Sequence, residues 1–252
     1  SILVWLGMNR DAVDGNGIPV ITRIAFLIGA VLSFVTILYS VMKVPELPLT
    51  QAEKDAIAAK PRGLSATFGE IKDAFVEMPQ AMRQLWWMKL FQWYGMICYW
   101  QYVVHAIARS LFDTADSSSA GFREAALING QIGGFYNFIA FVSALAMVPF
   151  TRRYGAGKVH ALCLVAGGLG MLALPALQGR AWLFLPMVGV GLAWGSIMGN
   201  PYVMLAKSIP PERTGVYMGI FNMFIVIPML IQSFTLPLFY KSWLGGDPRN
   251  VV

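Results

Sequence analysis

The sequence predicts an all-α transmembrane protein with six membrane-spanning helices. Of its 252 residues, 57% are hydrophobic and only 13% are charged, which is about half the charged fraction of an ordinary soluble domain. The apolar residues also fall into blocks of about 20, the length of helix that crosses a bilayer. A soluble fold could not hide that much apolar surface from water, and a disordered chain would need the opposite composition.

Each predicted span is bounded by residues that favour loops. Helices are favoured over barrel strands, because strands would show apolar and polar side chains alternating over about ten residues. Turn-forming and charged residues interrupt the apolar blocks at 113–121, 152–158, 178–180 and 210–213. The predicted spans are 21–42, 87–109, 130–150, 159–178, 182–206 and 216–240.

The distribution of Lys and Arg predicts which side of the membrane is cytoplasmic. Twelve of these residues lie on one side and seven on the other, and short loops carry most of this signal. The compact basic loop 152–158 is therefore assigned to the cytoplasm, and with it the long segment 44–85. The twelve are Lys43, Lys54, Lys60, Arg62, Lys72, Arg83, Lys89, Arg152, Arg153, Lys158, Lys207 and Arg213.

The excess of Lys and Arg in the cytoplasmic loops explains the net charge of +6. Nucleic acid is not expected as a partner, because no basic stripe with interleaved aromatic residues lies outside the spans. The expected partners are the lipid bilayer and a small-molecule solute. The short loops favour a bacterial inner (plasma) membrane.

The cytoplasmic segment contains a short helical pattern. Thr67 and Glu70 have the spacing of a capping box. Apolar residues follow at helical intervals at Phe68, Ile71, Phe75 and Met78. The pattern predicts an amphipathic helix on the membrane surface. The alternative is a linker helix that only joins two halves of the protein.

The polar residues inside the spans are the candidate binding residues. All thirteen carboxylates fall in loops or at span edges, so no embedded acid is available as a proton or cation relay. In the second span, Tyr94, Gln101 and His105 lie within about 40° of one another on a helical wheel. This stripe predicts a cavity wall, although His105 could instead form only local hydrogen bonds near the outer interface.

Amides, prolines and glycines mark the later spans. Amide side chains both donate and accept hydrogen bonds, which suits a hydroxyl-rich solute but equally suits contacts between helices. They occur at Asn137, Asn200, Asn222 and Gln232, with Pro201 and Pro228 as expected kinks. Glycines four residues apart predict close helix packing at Gly130–Gly134, Gly191–Gly195–Gly199 and Gly215–Gly219.

Catalysis, cofactors and metals are not predicted. Hydrolase and metalloprotease motifs are missing from the sequence. The two cysteines, Cys98 and Cys163, and the two histidines, His105 and His160, have neither metal-ligand nor disulfide spacing. The protein is therefore not expected to be an enzyme.

Several stretches of the sequence are distinctive. The longest is PPERTGVYMGIFN at 210–222, and FTRRYG at 150–155 is a basic stretch that ends in glycine. The others are MPQAMRQL at 78–85, FQWY at 91–94 with Tyr102, WGSI at 194–197, NPY at 200–202 and IVIP at 225–228. Together they resemble the sugar–cation symporters of the major facilitator superfamily, the branch that includes sucrose–proton symporters and their bacterial relatives. Within this resemblance, FTRRYG is similar to the basic glycine loop between helices of these transporters.

The resemblance implies the C-terminal half of a twelve-helix bundle. Residues 1–43 would end the N-terminal half with the sixth helix, and 44–85 would be the inter-half loop. Residues 86–252 would hold the seventh to eleventh helices, with the last helix missing and the chain a fragment. The resemblance also implies a gating loop at Arg152, Arg153 and Gly155.

The function implied is secondary active transport of a small sugar or glycoside by alternating access, coupled to a proton or a sodium ion. The implied substrate-binding residues are Tyr94, Gln101, His105, Asn137, Asn200, Asn222 and Gln232. An export or drug-efflux transporter of the same fold is the first alternative, because the chain has 8 Trp and 14 Met. A non-transporting membrane protein, either an enzyme or a solute receptor, is the second.

Overall fold

The computed structural model describes residues 3, 6–9, 12–15, 19–45, 50–51, 54–55 and 63–252, and contains no β-strand within them. The chain divides into two compact units, 1–63 and 64–252. The first unit contains α1 (Val20–Lys43). The helices of the second are α2 (Leu64–Val76), α3 (Gln80–Phe112), α4 (Ala120–Tyr154), α5 (Ala156–Ala173), α6 (Phe184–Ala206) and α7 (Thr214–Tyr240).

Every predicted span falls on a long helix. By length and composition, α1, α4, α7 and the segment Ala156–Ala176, which is α5 with the 3₁₀ turn after it, can cross a membrane. The helices α3 and α6 occupy the other two predicted spans. Neither α3 nor α6 is among the helices long and apolar enough to cross a membrane by the same measure. Four spans are thus supported in the described residues, and the count of six stays a prediction.

In the first unit, α1 contacts two of the described residues that precede it. The amide of Val20 donates to the carbonyl oxygen of Ala12 over 2.9 Å. Arg23, in the first turn of the helix, forms an ion pair with Asp14. Lys43 lies in the last turn, where a cation interacts favourably with the helix dipole.

The predicted amphipathic helix is present as α2, but it begins earlier than the sequence indicates. Thr67 lies inside the helix rather than at its N-cap, since α2 starts at Leu64. The buried face carries Ala74 and is continued by Met78 just after the helix, and both pack against the first half of α7. Phe68 is 69% exposed, so an apolar side chain remains on the outer face.

The core of the second unit is built where α6 crosses α4 and α5. Three glycines of α6 allow the close approach, because a Cβ at each would overlap a neighbouring backbone. A Cβ at Gly189 would lie 2.2 Å from the carbonyl oxygen of Ala166. Cβ atoms at Gly191 and Gly195 would lie 2.7 Å from backbone oxygens of α4.

The other predicted glycine steps are not at close crossings. A Cβ at Gly199, or at any of the four glycines of the steps 130–134 and 215–219, would meet nothing within 4 Å. The spacing therefore identified one tight interface, on α6, and the remaining steps face open space.

The outer surface of the second unit is strongly apolar. Phe91, Leu172 and Leu238 are each more than 70% exposed. Large apolar side chains on this scale are disfavoured against water but suit contact with lipid. The exterior is thus the surface expected of a protein embedded in a bilayer.

Candidate functional site

A chain of buried polar side chains crosses the second unit. His160 of α5 is 1% exposed, and both of its ring nitrogens have partners. Its Nδ1 lies 2.8 Å from Oγ of Ser196 on α6, and its Nε2 lies 3.2 Å from Oε1 of Gln92 on α3. The amide of Asn200 donates to Ser196 Oγ over 2.7 Å, and Thr151 of α4 donates to Asn200 Oδ1 over 3.2 Å.

We call these five residues the buried polar chain: Thr151, Asn200, Ser196, His160 and Gln92. They belong to four different helices, and every link runs in the same donor-to-acceptor direction. Because Gln92 presents a carbonyl oxygen, Nε2 of the ring carries the hydrogen. Nδ1 is then free to accept from the Ser196 hydroxyl, so the neutral imidazole is fully satisfied.

The chain ends at an unpaired donor. Nε2 of Gln92 is buried and has no hydrogen-bond partner in the described residues. A buried, unpaired amide group costs free energy, and such groups call for an explanation in a native structure. The terminal amide is therefore an available donor inside the protein.

A buried lysine lies three residues before Gln92 on α3. Lys89 is fully buried, and its Nζ has no hydrogen-bond partner in the described part of the chain. The ammonium instead faces three aromatic rings, at 4.0 Å from the centroid of Phe221, 5.2 Å from Tyr202 and 5.9 Å from Trp93. Cation–π attraction to these rings offsets part of the cost of desolvating the charge.

A second set of polar contacts joins α3 to α7. Nε2 of Gln232 donates to Oε1 of Gln101 over 3.1 Å, and the hydroxyls of Tyr94 and Thr235 lie 3.0 Å apart. Gln101 is exposed, whereas Gln232 is 1% exposed and its Oε1 is an unpaired acceptor in the described residues. We call these four residues the α3–α7 polar seam.

The remaining predicted binding residues lie apart from both groups. His105 is exposed on α3, and its ring packs edge-on against Phe122, with 5.1 Å between centroids. Asn137 donates to the carbonyl oxygen of Gly133 in its own helix over 2.8 Å. Asn222 is exposed on α7. Of the predicted binding residues, Tyr94, Gln101 and Gln232 therefore belong to the α3–α7 polar seam and Asn200 belongs to the buried polar chain. The other three are isolated.

The predicted gating loop is the tight junction between α4 and α5. Arg152 and Arg153 occupy the last turn of α4, and both are exposed. Gly155 has a φ of 90°, a conformation that side-chain-bearing residues rarely adopt. One glycine thus turns the chain from one long helix directly into the next.

Two clefts adjoin the ends of the buried polar chain. A cleft of about 300 Å³ between α4 and α6 is lined by Thr151, Arg152 and Asn200 among others. A cleft of about 410 Å³ between α3, α5 and α6 is lined by Gln92 together with apolar residues and glycines. Each end of the chain thus reaches a concave surface.

Sequence reasoning did not select Lys89, Gln92 or His160 as site residues. Lys89 was assigned to the cytoplasmic charge count, but its side chain lies inside the bundle. The one available signal was on α6, where Ser196 and Asn200 stand four residues apart on one helix face.

The helical bundle, its apolar exterior and its internal polar groups define an integral, multi-pass membrane protein. The family model described as Major Facilitator Superfamily matches residues 6–233, and the chain belongs to that family. No curated protein matches it, and neither does any solved structure. Members of this family are membrane transporters of small-molecule solutes rather than enzymes, so the chain is assigned to that class.

Proposed function

We propose that this transporter carries a small sugar or glycoside by proton-coupled symport with alternating access. The observation that carries the sugar proposal is the α3–α7 polar seam, in which Gln101 and Gln232 pair across two helices. Amides that both donate and accept match the hydroxyls of a sugar. The resemblance to sugar–cation symporters supports the same substrate class.

In this proposal the seam residues Tyr94, Gln101 and Gln232 form the central contacts with the solute. Gln101 is exposed and within hydrogen-bond distance of Gln232. A sugar hydroxyl can therefore take the place of Gln101 as the partner of Gln232, and the displaced Gln101 amide is not left buried without a partner. His105, Asn137, Asn200 and Asn222 are proposed as further polar contacts.

The organisation implied by the resemblance is retained as part of the proposal. Residues 1–43 would close the N-terminal half, 44–85 would be the cytoplasmic loop and 86–252 would form most of the C-terminal half. Arg152, Arg153 and Gly155 would form the gating loop, in a bacterial inner membrane. The chain would then be a fragment, and the solute site would be completed by residues outside it.

The substitution Gln101→Ala tests the seam. It removes one partner of the Gln101–Gln232 pair and one solute contact, so uptake of radiolabelled sucrose into proteoliposomes should fall about tenfold at subsaturating sugar. Ser233→Ala is the matched control, because this exposed hydroxyl donates to its own helix backbone at Met229. Unchanged uptake by Gln101→Ala, at equal amounts of protein in the membrane, would remove Gln101 from the site.

Competition between substrates distinguishes sugar symport from the alternative, a drug-efflux transporter of the same fold. Trp93, Trp100 and Trp194 form edge-to-face pairs within 6.2 Å. Trp93 belongs to the interior core, and the half-buried Trp100 and Trp194 pack against it. If excess sucrose and maltose leave transport unaffected while aromatic cations compete, the sugar proposal is replaced by the efflux alternative.

A further inference from the structure

His160 is a titratable group sealed inside the second unit. Its ring bridges α3 and α6, and side chains of α4 extend the same chain. A histidine needed only for packing could be replaced by an apolar residue without loss, whereas this ring has a specific partner on each nitrogen. Histidine is also the side chain whose ordinary titration lies closest to neutral pH.

The surroundings of His160 can accept a proton without moving the backbone. In the neutral state the Ser196 hydroxyl donates to Nδ1. When Nδ1 takes a proton from water, the hydroxyl turns so that its oxygen accepts from the new N–H, and its own hydrogen turns toward the backbone carbonyl one turn earlier. Nε2 continues to donate to Gln92 throughout, and no bond between heavy atoms changes.

Charged and titratable groups face His160 from α3 and from its own helix. From α3, Lys89 lies one helical turn before Gln92, the residue that accepts from the ring. From α5 itself, Cys163 is buried and points its thiol at Met147 over 3.9 Å. The α6 neighbours, Ser196 and Asn200, do not ionise.

On α4 the chain member Thr151 does not ionise, and the next residue, Arg152, is exposed at the cleft. Lys158, two residues before His160, is also exposed. Among the described residues no carboxylate takes part in the buried polar chain. The charge of a protonated ring is therefore opposed first by burial and then by the charge of Lys89, and it is stabilised by the hydroxyl and amide dipoles of the chain.

Both ends of the buried polar chain reach a cleft on the surface of the second unit. Thr151 and Asn200 reach the cleft between α4 and α6, and Gln92 reaches the cleft between α3, α5 and α6. The ring itself is 1% exposed. Water in either cleft can therefore exchange a proton with the ring only through the polar groups of the chain.

We propose that His160 is the site at which this transporter binds its coupling proton, with Ser196 and Gln92 holding the ring. The inference rests on the proposed proton symport and names the group that carries the proton. It assigns proton binding to the second unit. A histidine is invoked because no carboxylate lies within the predicted spans.

The test is sugar uptake by full-length protein in proteoliposomes with imposed proton gradients. Wild-type uptake of radiolabelled sucrose should fall about tenfold per pH unit above its midpoint, as the protonated fraction of a single group falls. His160→Gln keeps a donor for Gln92 but does not titrate. It should lose uphill accumulation and pH dependence, while exchange of internal for external sucrose continues.

Ser143→Ala is the matched control for this test. Ser143 is 6% exposed on α4 and donates to Ala140 of its own helix, outside the buried polar chain. The control should retain the wild-type pH profile. A wild-type pH profile with uphill accumulation in His160→Gln would overturn the inference.

A second variant tests the role of His160 if His160→Gln does not reach the membrane. Lys89→Met removes the cation that opposes protonation, so the ring should hold its proton to higher pH. The midpoint of sucrose uptake should then move upward by about half a pH unit or more. An unmoved or lowered midpoint would contradict the assignment.

Histidine spectra separate failure of this inference from failure of the sugar proposal. The chain has only two histidines, so the ¹⁵N-histidine signals lost in His160→Gln identify those of His160. If the wild-type protein transports no sugar, the proposed substrate is wrong. The spectra would still show whether the His160 ring binds a proton. Conversion of His160 to the charged form between about pH 8 and about pH 4.5 upholds the proton site, and a ring that stays neutral overturns it.

Discussion

Gly189→Ala is expected to destabilise the second unit more than any other single methyl addition in α6. The new Cβ would lie 2.2 Å from the carbonyl oxygen of Ala166 and 2.9 Å from its carbonyl carbon. Both contacts are with backbone, so no side-chain rotation relieves them, and α5 and α6 must move apart by about 1 Å. The free energy of unfolding should fall by about 3 kcal/mol, measured by denaturation in detergent micelles.

Gly199→Ala is the matched control on the same helix. A Cβ there meets nothing within 4 Å, and alanine favours the helical backbone over glycine by up to about 1 kcal/mol. Its stability should therefore be unchanged or slightly increased. Equal losses in the two variants would show that the close crossing of α5 and α6 is not what holds this part of the bundle.

Lys89→Met is expected to raise stability, the opposite of what most core substitutions do. Methionine has a similar length and needs no hydration, whereas the Lys89 ammonium is fully buried without a hydrogen-bond acceptor in the described residues. The substitution loses cation–π attraction of about 2 kcal/mol but removes a larger desolvation cost. We expect a net gain of about 1 to 2 kcal/mol, measured as a higher Tm in micelles.

Lys207→Met provides the comparison for this result. Lys207 follows α6 and is exposed, so its replacement should change stability by less than about 0.5 kcal/mol. If Lys89→Met instead lowers Tm by several degrees, the three aromatic rings stabilise the ammonium more strongly than burial penalises it. A stability gain would indicate that the three rings do not offset the free-energy cost of burying the ammonium.

The helices were the most predictable part of the protein. Blocks of about 20 apolar residues require a helix in a membrane, because every backbone polar group must be satisfied within the segment. The end of α4 was predicted less well, because the sequence indicated a loop at 152–158. In the structure Arg152 and Arg153 lie in the last turn of α4 and Lys158 lies in α5, so only Gly155 separates the two helices. The start of α2 was not, because the Thr67–Glu70 pattern occurs inside a helix that begins at Leu64.

The candidate site was predictable only along single helices. Helical spacing placed Tyr94, Gln101 and His105 on one face of α3, but it could not pair Gln101 with Gln232, which is 131 residues away. Glycine spacing predicted close packing at every glycine step. Of these glycines, only Gly191 and Gly195 on α6 lie where an added Cβ would overlap a neighbouring backbone.

The class of the protein follows from its sequence alone: an all-helical membrane bundle whose composition fits no soluble fold and whose motifs resemble the family it belongs to. Which polar groups meet inside the bundle depends on how its helices pack. His160 joins residues 36 and 68 positions away, and Lys89 faces rings from three helices. Helical periodicity relates residues three and four apart, whereas contacts between helices depend on how the apolar faces pack.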